Sequence, residues 1–213
     1  MKIRATIIIH PRGSEEKVNG RAVILLCQDA EREYVYMRGT RGDLQKLLLW
    51  GARHWFTLPP DESYFAALRA AVEPAVRPDD PEPLLVASPT CNDAGRPTSE
   101  GPMAFALEDE SGATVRFDGV SDALFFVIRE DGTTARSTGG SGLQKNCLLE
   151  LGIEALFGAD VAERFREGRF DGMPAGVRAM YEDMRRKMRA HAGESLVITD
   201  AAAAAMTKGQ KPN

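Results

Sequence analysis

Cysteine is scarce in this chain: the 213 residues include 3, and Cys27, Cys91 and Cys147 lie far apart. That spacing provides neither a disulfide framework nor the Cys-x-x-Cys pair of a zinc site. The 3 histidines are equally isolated from one another. We therefore predict no metal site, and free thiols that are typical of a reducing compartment.

Long hydrophobic runs are also missing. No apolar stretch approaches the roughly 20 residues of a membrane-spanning helix. The N-terminal run Ala5–Ile9 is short and rich in β-branched residues, and His10-Pro11-Arg12 follows it, so it predicts a strand rather than a signal sequence. We expect a cytoplasmic protein without a membrane segment.

A strong net charge is absent too. The formal net charge of -4 argues against a general nucleic-acid-binding protein. The charges are unevenly distributed, however, because residues 73–122 carry 3 basic and 11 acidic side chains. This acidic surplus fits two interpretations, a surface that binds a basic partner and an ordinary solvated sheet face with its loops.

The hydrophobic patterns predict an α+β protein, with an antiparallel sheet (β-meander), helices packed on one side and a helical C-terminal part. Segments rich in β-branched and aromatic residues, bounded by turn residues, indicate strands at 3–9, 21–27, 34–37, 84–87, 103–107, 114–117, 123–128, 133–136 and 195–199. Helical spacing of apolar residues indicates helices at 43–55, 61–72, 143–157, 160–167 and 175–191. Gly158 is the expected C-terminal cap of the helix 143–157.

A segment rich in proline and acid, residues 73–83, is the best candidate for a linker. It predicts an N-terminal lobe of strands and two helices at 1–73 and a second lobe at 84–199, a β-meander followed by helices. Residues 200–213 predict a flexible tail. A single compact domain is the other arrangement that the pattern leaves open. No internal repeat is evident in the sequence.

A glycine-rich stretch, Ser137–Gly142, lies between a predicted strand and a predicted helix. Amides at the start of a helix favour an anion, and Lys145 or Arg136 can add positive charge. The stretch lacks the Gly-Lys-Ser/Thr of a P-loop and the third glycine of a dinucleotide-binding fingerprint. The structural interpretation is a tight turn that lets the helix pack against the sheet.

The residues Arg136-Ser-Thr-Gly-Gly-Ser141 resemble the [RQ]-x-x-G-x-[GA] motif of the acyl-CoA N-acetyltransferase superfamily, with Ser141 in place of the final Gly or Ala. The resemblance implies N-acetyltransferase activity and a loop that holds the pyrophosphate of acetyl-CoA. The implied cofactor-binding residues are Arg136, Thr138, Gly139, Gly140, Ser141 and Gly142. The chain departs from the family after this loop, because residues 143–191 predict three successive helices where the family has a strand and a tyrosine-bearing helix.

Two charged sets are candidate surfaces for a partner. The acidic set flanks the turns of the meander, where acidic residues are more often solvated or bonded to nearby backbone. The basic set lies on the last helix, whose apolar stripe can pack either on a partner or on the protein's own sheet. The candidate residues are Asp109, Glu110, Asp118 and Asp122 in the acidic set and Arg185, Arg186 and Arg189 in the basic set.

These features favour a non-enzymatic intracellular interaction protein that binds and occludes a protein or nucleoprotein partner. Charge complementarity sets the association rate and specificity of such proteins. Arginine also outnumbers lysine, which is typical of the GC-rich genomes of many bacteria and phages. We therefore expect an accessory or inhibitory protein of bacterial or phage origin. The acetyl-CoA-dependent N-acetyltransferase is the alternative.

Overall fold

The computed structural model describes residues 2–9, 13–30, 32–55, 70, 72–77, 79–87, 103–139, 142–170, 175–176, 178–179, 182–183, 186 and 196–199. Within these residues, ten strands and three α-helices follow one another, with a short 3-10 helix at Glu73–Ala75. The strands are β1 (Ile3–Ile9), β2 (Ser14–Gly20), β3 (Ala22–Gln28), β4 (Glu33–Thr40), β5 (Pro83–Ala87), β6 (Met103–Asp109), β7 (Thr114–Val120), β8 (Asp122–Ile128), β9 (Thr134–Gly139) and β10 (Leu196–Thr199). The helices are α1 (Arg41–Trp55), α2 (Gly142–Phe157) and α3 (Ala159–Phe170).

The strands form two antiparallel sheets. Sheet A has four strands in the order β2-β1-β6-β7, and sheet B has six in the order β10-β5-β4-β3-β8-β9. The predicted α+β class with an antiparallel meander and C-terminal helices is therefore confirmed. The strands are divided between two sheets, and each sheet combines strands from both halves of the chain.

Sheet B is the middle layer of three. Its central strands β3 and β8 are buried at all 7 positions each, as expected for strands covered on both faces. Ile24 and Leu26 of β3 pack in one core with the three helices, whereas Val23 and Leu25 pack in a second core with sheet A. The helices thus cover one face of sheet B, as predicted from the sequence.

The order of elements repeats along the chain. Four strands and a helix, β1–β4 and α1, are followed after β5 by four strands and a helix, β6–β9 and α2. The strands β1–β3 match β6–β8 at a shift of 100 positions, as from Ile3 to Met103. From β4 onward the shift is 101, as from Glu33 to Thr134, because the β8–β9 turn is one residue longer.

Strand register shows that the two repeats are related by a pseudo-twofold axis. In sheet A, Thr6 lies opposite its own equivalent Ala106, and in sheet B, Leu25 lies opposite Phe125. Each of these pairs is the centre of its ladder, so the same axis passes through both sheets. The structure therefore contains an internal repeat that was not expected from the sequence. The sequence does not show it, because no residue of β1–β3 is identical to its equivalent in β6–β8.

Helices α1 and α2 also show the repeat in their sequences. Identical residues occur at equivalent positions as Leu47 and Leu148, Leu48 and Leu149, and Gly51 and Gly152. The glycines make reciprocal contacts: a Cβ at Gly51 would lie 2.6 Å from the ring of Phe126, and one at Gly152 would lie 2.7 Å from Leu26. Leu26 and Phe126 are themselves equivalent at the shift of 100. Each helix therefore uses its glycine to pack closely against the central strand of the other repeat, α1 against β8 and α2 against β3.

The helices α1, α2 and α3 lie where they were predicted, with ends that differ from the predicted ones by no more than three residues. The Thr40 hydroxyl accepts a hydrogen bond of 3.1 Å from the Asp43 amide, which is an N-cap for α1. Gly158 has φ 94° and its amide donates to the carbonyl of Glu154 at 2.8 Å, which closes α2 as expected. Strand β2 was not predicted, because four of its residues form an exposed polar run without alternation.

Some predicted features lie outside the described residues. These are the helix at 61–72 apart from residues 70 and 72, the loop at 88–102 with Cys91, and the tail at 200–213. Of the predicted helix at 175–191, the described residues 175, 176, 178, 179, 182, 183 and 186 are helical. In the described part of the chain, no helix is long and apolar enough to cross a membrane.

Candidate functional site

Three polar residues lie side by side in the core layer beneath the helices. Gln28 at the end of β3 is paired with Glu33 of β4 on one side and with Asp122 of β8 on the other. Strand alternation places all three on the helix-covered face, in line with Leu26, Val35 and Leu124 of the apolar core. They are 9%, 9% and 8% exposed, respectively, so the row is nine-tenths buried.

Hydrogen bonds organise this row around Asp122. Its Oδ2 accepts from the Gln28 side-chain amide at 3.2 Å and from the Ser121 hydroxyl at 2.9 Å. Lys145, in the first turn of α2, interacts electrostatically with Asp122. Burial lowers the pKa of the Lys145 ammonium below its ordinary value, and the Asp122 carboxylate opposes that effect. We call Gln28, Glu33, Asp122 and Lys145 the polar cluster, with the partly exposed Ser121 at its rim.

Gln28 has a buried oxygen that finds no donor among the residues the structure describes: its Oε1 accepts no hydrogen bond. An unsatisfied buried polar atom costs about 1–3 kcal/mol. Two other buried polar side chains, Gln45 and Glu150, have structural partners. Gln45 accepts from the Arg77 amide at 2.6 Å, and Glu150 forms an ion pair of 3.3 Å with Arg166 that joins α2 to α3.

The pseudo-twofold axis provides an internal comparison for the polar cluster. The equivalent positions at the other end of sheet B have the same strand pairing, with Ile128 between Ala22 and Thr134. The equivalent of Lys145 is Leu44, and Gly39 packs between Leu44 and Ala22 there. Ala22, Leu44 and Ile128 are buried members of the apolar core. The same backbone thus forms at one end with three apolar residues and Thr134, so the fold itself does not require the polar cluster.

The glycine-rich turn lies beside the polar cluster. Strand β9 ends at Gly139, which pairs with Ala123, and α2 begins at Gly142, so the chain turns next to Asp122. The predicted order of strand, turn and helix is observed, but the strand is longer than predicted, because residues 137–139 of the predicted turn belong to β9. At Gly139, a Cβ would overlap the thioether of Met103, and this close approach favours the structural interpretation of that glycine.

The implied acetyl-CoA loop is only partly visible. Gly140 and Ser141 lie outside the described residues, as do the side chains of Arg136 and Thr138. Downstream, α2 is followed directly by α3, whereas the acetyltransferase family has a strand after its loop and helix. The resemblance therefore stays a prediction that is confined to the loop.

The predicted acidic set is divided between two ends of the β6–β7 hairpin. Asp109 and Glu110 lie at its turn. Asp118 lies about five residues, or about 15 Å, along β7 from that turn, and Asp122 begins β8 just beyond the open end. Glu110 is exposed, and Asp118 forms an ion pair of 2.8 Å with Arg116. Asp122 belongs to the polar cluster. The role of the set in partner binding stays a prediction.

Asp109 has structural contacts of its own. Its Oδ2 lies 3.3 Å from the guanidinium of Arg38, an ion pair that joins sheet A to sheet B, with side chains 12% and 13% exposed. Burial alone would raise the pKa of the Asp109 carboxyl. Hydrogen bonds from Ser111 and Ala113, together with Arg38, outweigh that effect and hold the pKa below its ordinary value.

We expect Asp109→Asn to destabilise the fold by about 1.5–3 kcal/mol at neutral pH. The amide can keep the turn contacts of Oδ1 but loses the charge opposite Arg38. Because the folded pKa is lowered, this stabilisation is complete above the unfolded pKa of about 3.9 and is lost as the pH falls through the folded pKa. Urea unfolding of both proteins between neutral pH and pH of about 3 measures the difference.

The exposed neighbour Glu110 offers a matched control for that experiment. Glu110→Gln removes one carboxylate from the same turn and should change stability by no more than about 0.5 kcal/mol. If the loss in Asp109→Asn is the same at every pH, the ion pair with Arg38 is not its source.

The predicted basic set is described at one position. Arg186 is exposed and forms an ion pair of 2.8 Å with Asp183, while Arg185 and Arg189 lie outside the described residues. Such exposed pairs contribute little to stability. The basic set as a partner surface stays a prediction.

Sequence reasoning missed Gln28 and Glu33 and took Lys145 only as a possible charge near the turn. Gln28 and Asp122 do leave a signal, since each stands at the end of an otherwise apolar strand, AVILLC-Gln28 and Asp122-ALFFVI. A polar residue at a strand end usually lies in solvent, so the signal cannot identify a buried site without the pairing of the strands.

Comparisons with protein-family models, with curated proteins and with solved structures give no significant match.

Proposed function

We propose that this chain is a non-enzymatic interaction protein that binds a protein partner at the polar cluster. The observation that supports this proposal is the unsatisfied Gln28 oxygen, buried beside two carboxyl side chains at a place where three of the four equivalent positions are apolar. Functional sites commonly retain polar groups that reduce stability. Asp122 belongs both to this cluster and to the acidic set predicted from the sequence.

The rim of the cluster is the part that a partner contacts. Ser121 and Lys145 are partly exposed, although the row behind them is buried. A side chain of the partner that enters here would be desolvated, and contacts of this kind dominate binding energy at interfaces. Occlusion of the partner's own binding surface would follow from such docking.

The cellular location and the origin of the protein are part of the same proposal. We place the protein in a bacterial or phage-infected cytoplasm, which is supported by the arginine-rich composition and by the buried cysteines Cys27 and Cys147, neither of which forms a disulfide with a described residue.

The test uses a variant that replaces the polar cluster by its equivalents from the other repeat. This symmetrised variant carries the substitutions Gln28→Ile, Glu33→Thr, Asp122→Ala and Lys145→Leu. Full-length wild-type protein, the symmetrised variant and Glu110→Lys serve as baits for quantitative capture from a lysate of the source cells. We expect a partner that wild-type and Glu110→Lys retain equally and that the symmetrised variant loses.

Two outcomes would overturn the proposal. Capture that survives symmetrisation but is lost in Glu110→Lys would place the contact on the β6–β7 turn instead of the polar cluster. Thermal stabilisation by acetyl-CoA, abolished by Gly140→Asp, would favour the N-acetyltransferase alternative, because a ligand that binds only the folded state stabilises it.

A further inference from the structure

Strand β9 forms one edge of sheet B. On the opposite side, the sheet continues past β4 into β5 and β10, whereas no described strand lies beyond β9, the equivalent of β4 in the second repeat. The β9 residues whose burial is described, Thr134, Ala135 and Gly139, are all partly exposed. The pseudo-twofold axis therefore relates an edge that the chain covers with a strand to an edge that its described residues leave open.

The hydrogen bonds of the β8–β9 turn show which backbone groups of β9 face that open edge. The Arg129 amide donates to the Thr133 carbonyl at 2.7 Å, so these two residues form a hydrogen-bonded pair of the ladder. Bonded and non-bonded pairs alternate along antiparallel strands. In the register of β8 and β9, residues 135, 137 and 139 thus bond to β8, and the amides and carbonyls of Thr134, Arg136 and Thr138 face away from it.

The matching backbone groups of β4 hold β5 in place. The equivalent of Thr138 is Met37, which pairs with Val86 of β5. In the same ladder, the Arg41 amide donates to the Glu82 carbonyl at 2.7 Å, and alternation from there makes Met37 a bonded position that faces β5. The outward amides of β9 thus occupy the positions that β4 uses to bind a further strand.

The other edges of the two sheets have features that discourage the addition of a strand. Strand β2 is charged, with an exposed ion pair of 2.9 Å between Glu15 and Lys17, and β10 has four residues. The β6–β7 ladder contains a register shift, and Arg116 and Asp118 form an ion pair on β7. Charge, shortness and irregularity are the usual means of blocking an edge. Strand β9, by contrast, stays in register with β8 over its six residues and has one charged residue, Arg136.

We propose that an extended apolar segment of the protein partner adds to sheet B as an antiparallel strand on β9. This inference rests on the proposed function and names the backbone that the partner uses, because β9 ends at Gly139, opposite Ala123 and next to Asp122 of the polar cluster. In strand addition, main-chain hydrogen bonds provide affinity and the alternating side chains provide specificity.

Strand β5 indicates the chemistry of the added segment. Its Leu84 and Val86 pack in the core beneath the helices, and Leu85 and Ala87 pack against the core between the sheets. The same layers flank β9, since α1 contacts β9 as α2 contacts β4, and Met103 of sheet A lies against the end of β9. A segment with several consecutive apolar residues therefore fits this position.

Amide hydrogen exchange on the full-length protein tests the inference with a synthetic peptide. The probe has the β5 sequence Pro83–Ala87 with a lysine added at each end for solubility, because the fold already places this sequence on the equivalent edge. In the free protein, the amides of Arg136 and Thr138 should exchange faster than those of Ala135 and Ser137. The peptide should slow the first two about tenfold at nine-tenths occupancy and leave the others unchanged.

Two variants at one position separate the backbone from the side chain. Arg136→Pro removes an outward amide without removing a bond to β8, a change that edge strands tolerate, and it should weaken peptide binding at least about tenfold. Arg136→Val keeps the amide and should bind the peptide about as well as wild type. Equal binding by Arg136→Pro and wild type would overturn the inference. If Arg136→Pro does not fold, the exchange measurement on the wild type decides: unchanged exchange at Arg136 and Thr138 overturns the inference as well.

Other occupants of the edge give different results in the same experiment. Protection of the Arg136 and Thr138 amides that rises with protein concentration, without peptide, would show that a second copy of the chain occupies the edge. Protection at every concentration would show that the chain covers its own edge. Either result would overturn the inference.

The outcome is separable from that of the proposed function when Arg136→Pro and Arg136→Val are added as baits to the lysate capture. If symmetrisation loses the partner while the peptide leaves the Arg136 amide unprotected, the polar cluster stands as the interaction site and the strand inference fails. If the peptide protects β9 and Arg136→Pro alone loses the partner, the strand inference stands and the polar cluster is not the contact.

Discussion

The symmetrised variant should be more stable than the wild-type protein, by about 1–4 kcal/mol in free energy of unfolding. For a chain of this length, each kcal/mol raises the melting temperature by about 2–4 °C. The gain is expected because four polar positions receive the residues that the same backbone already accommodates at the other end of sheet B. Thermal and urea unfolding of both proteins measure it.

The physical reason is the desolvation of charge. Asp122 and Lys145 attract each other in the cluster, but both lose hydration when the protein folds, and apolar replacements of similar volume often do as well or better. Gln28 adds the cost of its unsatisfied oxygen. At the equivalent positions, Ala22 and Leu44 are fully buried and Ile128 is 5% exposed, without any polar atom to satisfy.

Single substitutions in the cluster should lower the free energy of unfolding, in contrast to the symmetrised variant. Asp122→Ala alone removes an acceptor from Gln28 and the counter-charge of Lys145, so it should destabilise the fold by about 2–4 kcal/mol. A symmetrised variant that is less stable than wild type would show that the fold depends on the polar cluster. The comparison between the two repeats would then carry no functional meaning.

Much of the fold was predictable because its determinants are local. The apolar runs of β3 and β8, the helical spacing of α1 and α2, and the Asp131-Gly132 turn are each encoded by neighbours in the sequence. Strand β2 was missed because it is an edge strand whose polar residues face solvent, so tertiary pairing rather than pattern makes it a strand.

The candidate site was not predictable because it is assembled across long sequence separations. Gln28 and Asp122 are 94 positions apart and meet only because β3 pairs with β8. That pairing is part of the pseudo-twofold relation between the repeats. Sequence comparison cannot detect this relation, because no residue of β1–β3 is identical to its equivalent in β6–β8. What the repeats share is burial: Leu25 and Phe125 differ in shape, yet both lie on the axis in the inter-sheet core.

The glycines at the helix–sheet crossing should be hard to replace, because each packs directly on a core side chain. Gly51→Ala should destabilise the fold by about 1–3 kcal/mol, the usual cost of overpacking, even though alanine favours a helix by about 1 kcal/mol over glycine. The new Cβ would lie 2.6 Å from three ring atoms of Phe126, which is itself fully buried in the core. Chemical denaturation of the variant measures the loss.

A double-substitution cycle tests whether the contact between residue 51 and the Phe126 ring causes this loss of stability. Phe126→Leu makes room beneath α1, so Gly51→Ala should cost less in that background than in the wild type, with a coupling of about 1–3 kcal/mol. Gly176→Ala is the matched control, because Gly176 is helical and a Cβ there would have no neighbour within 4 Å. The free energy of unfolding of this variant should stay within about 1 kcal/mol of the wild-type value or rise. If Gly51→Ala proves as harmless as Gly176→Ala, α1 does not approach β8 as closely as the structure has it. The reciprocal contact of Gly152 with Leu26 should respond to the same cycle, because the pseudo-twofold axis makes the two crossings equivalent.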